Sequence, residues 1–252
     1  MTTLKRPATS SNAERTLDIM LALGEVGPEG LSLADIAERV GSAKSATHRS
    51  LAAMIAKGFA EPTGRYGHYR LGVAVPMLAR RQERFEPQVQ KFRAGMTEFA
   101  RRTGFTVYLL VQSGTDAICA EMISRASRQE FTMGLGTRVP MGVGAGSLAL
   151  MSLLSDSAID QIVDANADRY LKHPSVRPVN RDIILGQVID AKGRGYAVNR
   201  GFFFYGEGGV GLPRPAAEHY EVDMAVSFNA PLDLMSEDWT DSQVRQLRDC
   251  LK

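Results

Sequence analysis

Lys44, Ser45, Ala46, Thr47, His48 and Arg49 bring ammonium, hydroxyl, imidazole and guanidinium groups together on a few consecutive residues that hold no carboxylate. Groups of this kind donate hydrogen bonds and positive charge to phosphates, and to base edges in a groove wide enough to admit a helix. The elements that must present them are legible on either side. Ser32 is placed to cap a helix, with Asp35 three residues on, and Leu33, Ile36, Ala37 and Val40 follow at the spacing of one helical face. Gly41 stops that helix and Ser42 re-caps the chain, so a second helix is expected from about Ala43 to Lys57. Its apolar stripe is Thr47, Leu51, Met54 and Ile55. The opposite face is Ser45, Ala46, Arg49, Ala52 and Ala53, with Lys44 at the start and His48 on the flank. Small residues let such a helix sink into a major groove. The alternative is an ordinary helical hairpin with a polar outside.

The next residues favour the first reading. Phe59–Pro62, a Thr63-Gly64-Arg65 turn and Tyr66–Leu71 read as strand, turn and strand, a wing that carries Arg65, His68 and Arg70 between Tyr66 and Tyr69. The expected DNA contacts are therefore Ser42, Lys44, Ser45, Ala46, Thr47, His48, Arg49, Arg65, His68 and Arg70. Upstream, Ser11–Glu14 can open a helix running through Leu23, with Leu17, Met20 and Leu21 completing a three-helix core. Residues 1–10 read as a flexible arm.

At 252 residues and 44% apolar content the chain is long enough for two domains. It has no secretory signal and no apolar run near membrane length, which points to a soluble cytoplasmic protein. Cys119 and Cys250 offer neither CxxC spacing nor a disulfide framework. The four histidines are scattered, so neither a metal nor any other cofactor is expected, and no Ser or Cys sits in a nucleophile elbow. The net charge of +2 hides an asymmetry: residues 1–93 carry 14 basic and 9 acidic side chains, a surplus of +5, and residues 94–252 carry 16 and 19, or −3. The positive charge sits with the candidate DNA reader.

Val75, Leu78, Phe85, Val89, Phe92, Met96 and Phe99 fall on a seam of three- and four-residue steps that only Gln82 interrupts, suited to helix pairing between two copies of the chain or to packing on its own domains. Pro87 is expected to break it, with one helix to about Glu86 and another from about Val89. Beyond it, strands are expected at Phe105–Gln112, Asp116–Ile123, Gln129–Met133, Tyr196–Asn199 and Asp223–Asn229. Helices are expected at Gly144–Leu154, Ser157–Ala165, Arg181–Lys192 and from about Asp241 to Leu251. Strands, then helices, then strands define an α+β fold with a mainly antiparallel sheet.

The stretch LSLADIAERVGSAKSATHRSLAAMIAKGF, the wing ending in YRLG, and the segments RVPMGVGAGSLAL, KGRGYAVNRG, GEGGVGLPRP and MAVSFNAP, in this order and spacing, resemble the IclR (isocitrate lyase regulator) family of bacterial transcriptional regulators from Asn12 to about Trp239. The resemblance implies a winged helix-turn-helix over residues 1–72, a linker helix over 73–90, and a GAF-like effector-binding and oligomerisation domain over 91–252. It also implies homodimers, often paired into tetramers, on a palindromic double-stranded DNA operator, responding to a small organic acid or aromatic carboxylate. Carried over position by position, the effector site comprises Gly144 and Ala145 at a helix start, Asn199 after the GYAV strand, Glu207 and Gly209 in a closing loop, and Ser227 and Asn229 on the last strand. Phe131 and Val139 supply apolar wall. Two plainer readings stay open: Gly144–Gly146 serving close helix packing, and Ser227 as a core hydroxyl. The chain departs from many relatives at Asn199–Tyr205, which lacks their acidic residues after GYAV, and at Gly208-Gly209, where they carry an Arg-Cys pair. This suggests a less negative pocket, Arg200 or Arg128 available to a carboxylate, and the Phe202–Tyr205 run as either lid or core.

The competing class is a small-molecule methyltransferase with a winged-helix dimerisation domain, since Gly142-Val143-Gly144-Ala145-Gly146 mimics a nucleotide-binding loop. Such a loop must follow a buried parallel strand, and Gly136–Met141 is too polar and Pro-broken for one. A regulator rather than an enzyme is expected.

Overall fold

The computed structural model describes residues 11–80, 85–124, 133–173, 177, 179–203 and 205–252. The chain divides into two compact units, Met1–Glu83 and Arg84–Lys252. In the first, α1 (Ser11–Gly24) is followed by β1 (Leu31–Ser32), α2 (Leu33–Arg39), α3 (Lys44–Ala56), β2 (Ala60–Pro62), β3 (His68–Leu71) and α4 (Ala74–Arg80). Ser32 caps α2 as its sequence predicts, its hydroxyl accepting from the Asp35 N–H at 3.2 Å and donating to the Asp35 carboxylate at 2.7 Å. Gly41, at φ +60°, turns the chain into α3 through the left-handed region that a side chain resists. The wing has a third strand that the sequence concealed: β1 pairs with β3, giving the order β1-β3-β2. Two residues are too short a run for alternation to announce.

The core of this unit corrects the expected phase of α1. Ile19, Ala22 and Leu23 are buried against Leu31, Ile36, Leu51 and Met54. Leu17 and Leu21 are exposed and Met20 is half-buried, because two apolar stripes compete on this helix and tertiary packing selects the Ile19 side. On α3 the buried stripe is Thr47, Ser50, Leu51 and Met54, and Ile55 is exposed.

In the second unit, α5 (Phe85–Thr103) carries Pro87 in its first turn, where a missing N–H costs nothing, so the break expected at Pro87 does not occur there. The seam divides by location. Val89, Phe92, Met96 and Phe99 pack on the sheet of their own unit, whereas α4 buries none of its residues. The sheet runs through β4 (Val107–Ser113), β5 (Asp116–Ile123), β6 (Arg138–Pro140), β7 (Ala197–Arg200), β8 (Glu207–Arg214) and β9 (Met224–Pro231), in the order β6-β5-β4-β9-β8-β7. Every pairing in it is antiparallel. One face is covered by α5 and α9 (Glu237–Cys250), with Phe99, Val107, Leu109, Phe228, Val244 and Leu247 between them. The other is covered by α6 (Ala145–Met151), with α7 (Asp156–Lys172) and α8 (Arg181–Arg194) outside it. Asn180 and Ser236 cap α8 and α9 through the N–H groups of Ile183 and Trp239.

Two strands go beyond those expected from the sequence. β6 is only three residues long, and β8 stands where a closing loop is expected. Its sequence EGGVGLPR carries the Gly and Pro residues that ordinarily argue against a strand, yet it lies between β7 and β9 inside the sheet. The glycines let a helix rest directly on the backbone. A Cβ at Gly211 would run into the Ala145 carbonyl, and one at Gly146 would run into Leu110 and stand 2.7 Å from the Ser227 hydroxyl. The strand expected at Gln129–Met133 falls outside the described residues except for Met133.

Candidate DNA-reading face and ligand cavity

Lys44, Ser45, His48 and Arg49 are exposed on the outer face of α3, with Ala52 and Ala53 continuing it and Ala46 half-buried. Thr47 cannot join them. It is fully buried and donates its hydroxyl to the Ala43 carbonyl at 3.1 Å, because helical periodicity puts it in line with Leu51 and Met54. Ser42 does not cap α3. The cap residue is Ala43, which makes no side-chain hydrogen bond, and the Ser42 hydroxyl instead accepts from Arg15 Nε at 2.8 Å. Arg15 also donates to Asn12 Oδ1 at 3.1 Å, and the buried Ser50 donates to the same oxygen at 3.4 Å. This clamp from α1 fixes the start of α3, a positioning role that the sequence reading missed because its members are far apart in the chain.

On the wing, Arg65 and Tyr66 are exposed at the tip, and His68 Nδ1 lies 3.3 Å from the Tyr66 carbonyl. Arg70 is the cross-strand partner of Glu61, and the two form an ion pair at 2.7 Å. An exposed pair adds little stability, but the Glu61 carboxylate competes with a phosphate for the Arg70 guanidinium. Glu61→Gln is therefore expected to tighten DNA binding about twofold to fivefold and to steepen its salt dependence by about one unit of slope, read by fluorescence anisotropy across a salt series.

The second unit holds a cavity of about 70 Å³ between α6 and the sheet. Its apolar wall is Leu110, Met133, Val139 and Val143, its polar groups are Tyr108, His173, Ser227 and Asn229, and Gly144, Ala145 and Gly146 supply backbone. Alternation along the strands aims these groups. Tyr108 and Leu110 share the α6 face of β4, as Ala225, Ser227 and Asn229 share that of β9, while Val107, Leu109, Val226 and Phe228 face α5 and α9. Ser147 pins the loop that forms the cavity edge, its hydroxyl accepting from Gly142 N–H at 3.1 Å and donating to the Val143 carbonyl at 2.7 Å. Burial pushes the Tyr108 hydroxyl up to about 12, lowers His173 and raises Glu207, so the cavity favours neutral side chains.

Of the residues expected to meet an effector, Val139, Gly144, Ala145, Ser227 and Asn229 line this cavity. Asn199, Glu207 and Gly209 lie on the same side of the sheet, next to its wall. Phe131 and Arg128 lie outside the described residues. Arg200 is corrected: it alternates to the opposite face from Asn199 and donates to the Met235 carbonyl at 3.3 Å, so it does not serve a carboxylate in the cavity. In the aromatic run, Phe203 is buried in the core and meets His173 edge to face, Phe202 packs beside it under the Arg177 guanidinium, and Tyr205 is exposed. Phe204 lies outside the described residues. Tyr108, Leu110, Met133, Val143, Gly146 and His173 were missed. The continuous apolar run FTVYLLVQ hides which of its alternate residues face the cavity.

The nucleotide-loop reading fails on topology. The strand before Gly142–Gly146 is the edge strand β6, antiparallel to β5, not a central parallel strand. Among the described residues, no group of His, Cys, Asp or Glu side chains is gathered to hold a metal ion, and no helix is long and apolar enough to cross a membrane.

A winged helix-turn-helix joined to an α+β domain with a cavity against its sheet defines a class of DNA-binding regulators. Comparison with known proteins narrows it. Residues 12–64 match the IclR helix-turn-helix domain. The HTH-type transcriptional regulator XynR of Escherichia coli is 24% identical over 191 residues, covering 75% of this chain and 73% of that protein. The transcriptional repressor IclR of Escherichia coli is 24% identical over 215 residues, covering 82% and 76%. The fold is that of an IclR transcriptional regulator from Alicyclobacillus acidocaldarius (TM-score 0.72, 17% identity, 96% of each chain). It is also that of an IclR homolog from Microbacterium hydrocarbonoxydans complexed with 4-hydroxybenzoate (TM-score 0.72, 19% identity, 96% of this chain and 99% of that one). Residues 12–64 thus carry an IclR helix-turn-helix domain, and over most of its length the chain is similar to IclR-family proteins that are transcriptional regulators rather than enzymes.

Proposed function

We propose that this protein is a cytoplasmic, ligand-responsive regulator that binds a palindromic operator as a dimer or a dimer of dimers and is modulated by a small organic acid. Residues 1–72 read DNA, 73–90 connect, and 91–252 sense the ligand and associate. The observation that carries the ligand half is the cavity itself, where apolar walls converge on Tyr108, Ser227 and Asn229. The 4-hydroxybenzoate held by the Microbacterium relative supports an aromatic carboxylate as the ligand class. On DNA, Lys44, Ser45, Ala46, His48 and Arg49 enter the major groove while Arg65, His68 and Arg70 approach the backbone. Two copies of α3 then occupy successive major grooves about 34 Å apart. The exposed Leu17, Leu21, Met77 and Leu78 support self-association of the first unit. Ligand binding biases the balance between two arrangements of the dimer, and so the half-site spacing it favours.

A thermal-shift panel of aliphatic and aromatic carboxylates, followed by gel mobility shift on the DNA flanking the gene, tests this. At least one acid is expected to raise the melting temperature and change operator affinity. Ser227→Ala is expected to leave operator binding intact while weakening that acid about tenfold to a hundredfold, the loss of one hydrogen bond to a charged group. No response to any acid sinks the ligand half, and no footprint sinks the DNA half.

A further inference from the structure

At the start of α5, one buried amide holds the backbone that leads into the cavity. Gln88 is 6% exposed; its Nε2 donates to the Val222 carbonyl at 2.6 Å and its Oε1 accepts from the Val222 N–H at 3.1 Å. One side chain thus meets both polar groups of one residue, as a residue of an antiparallel strand would. Val222 stands two residues before β9, the strand that presents Ser227 and Asn229 to the cavity. Gln88 stands about one helical turn inside the second unit, which begins at Arg84. It also falls within residues 73–90, the stretch proposed to connect the two units.

The backbone that Gln88 holds is itself well tied. In residues 215–223, which join β8 to β9, Asp223 accepts from the Ala216 N–H and Glu221 from the Ala217 N–H, each at 2.9 Å. The Glu221 N–H donates in turn to the Glu218 carbonyl at 2.9 Å. One turn beyond Gln88, Lys91 reaches Glu221 at 3.5 Å, an exposed cation whose pairing adds little. Elsewhere α5 meets β9 through apolar side chains, with Val89 and Phe92 in one cluster with Met224 and Val226. Such contacts have no preferred direction and tolerate a small slide. The amide pair does not, because hydrogen bonds weaken steeply as they stretch and bend. A shift of β9 against α5 must either carry Gln88 with it or break both bonds. Ser227 lies five residues beyond Val222, about 17 Å along a strand, and β9 is bonded to β4 and β8 on its two sides.

We propose that Gln88 is the positioning residue that passes ligand binding at β9 to the first turn of α5, and so to the stretch that leads to the DNA reader. This rests on the cavity being the effector site and on the first unit reading DNA. Replacing Gln88 then disconnects the two activities without removing either.

Operator anisotropy and isothermal titration on the full-length protein test it, with benzoate, 4-hydroxybenzoate, pentanoate and glutarate as probes. In the wild type the tightest of these acids is expected to change operator affinity at least about fivefold, and operator to change the affinity for that acid by the same factor. Gln88→Leu keeps the position filled. Val222 is 40% exposed, so water can take over its backbone groups and the variant is expected to fold. Its acid affinity and its ligand-free operator affinity are each expected to stay within about threefold of wild type, while both reciprocal effects shrink below about twofold. Gln88→Glu keeps the length and the acceptor but, when ionised, offers no donor to the Val222 carbonyl, and the same loss of response is expected of it. Tyr196→Phe is the control for lost stability alone: it removes the hydrogen bond to Asp241 of α9, on the same side of the sheet, and should keep the full response. The role of Gln88 is overturned, and the effector reading stands, if both Gln88 variants respond fully, if they lose acid binding itself, or if Tyr196→Phe loses the response as well. If no acid binds, or none that binds moves operator affinity in the wild type, the effector reading falls and this role falls with it.

Discussion

Gly211→Ala is expected to destabilise the second unit by about 3 kcal/mol or more, at the upper end of what overpacking costs. The added methyl would meet the Ala145 carbonyl, so the collision is between two backbones and no rotamer change relieves it. Helix α6 cannot step aside, because all seven of its residues are buried between the sheet and the outer helices. For a unit of this size the loss corresponds to about 6–12 °C in melting temperature. Trp239 is the single tryptophan and packs against Phe105 and Phe228, so its fluorescence follows this unit during denaturation. Gly186→Ala in α8 is the control: nothing stands within 4 Å of its added methyl, and a neutral or slightly stabilising effect is expected. Equal stability of the two variants would show that α6 does not rest on β8 as described.

Arg49→Ala is expected to weaken operator binding at least about 30-fold. Each lost side-chain contact to a base edge costs about 1–3 kcal/mol, and a symmetric dimer loses two of them. The side chain is exposed on α3, so the melting temperature should not move. Arg49→Lys separates two roles: it keeps a charge for a phosphate but loses the planar fork that reads guanine, so it should retain non-specific binding and lose discrimination. Anisotropy titrations on the footprinted operator and on a scrambled duplex at one salt concentration would measure both. Unchanged operator affinity of Arg49→Ala would mean that α3 does not dock by this face.

The first unit was more legible in the sequence than the second, for physical reasons. Ser32, Asp35 and Gly41 act within a turn of themselves, so caps and breaks could be read locally, and the outer face of α3 followed from helical period alone. Thr47 shows the limit: the same period that exposes Arg49 buries Thr47, and a hydroxyl on an inner stripe serves its own helix. In α1 the sequence offered two apolar stripes, and only the packing of Ile19 against Ile36 and Leu51 decides between them. The strand β8 was unreadable because its glycines answer to α6, a helix more than fifty residues upstream. The cavity was half legible: Ser227 and Asn229 announce a shared face by their two-residue spacing, whereas Tyr108 sits in an apolar run with no alternation to aim it.

The glycines of β8 also divide the labour of change in this domain. Because α6 lies on bare backbone, the seat beneath it tolerates almost no substitution, and the shape of the cavity floor is fixed by the fold. What remains free to vary is the rim: Asn199, Glu207 and Asn229 stand beside that seat without holding it up. A domain built this way can replace side chains at the rim of its cavity while its stability, carried elsewhere, stays the same.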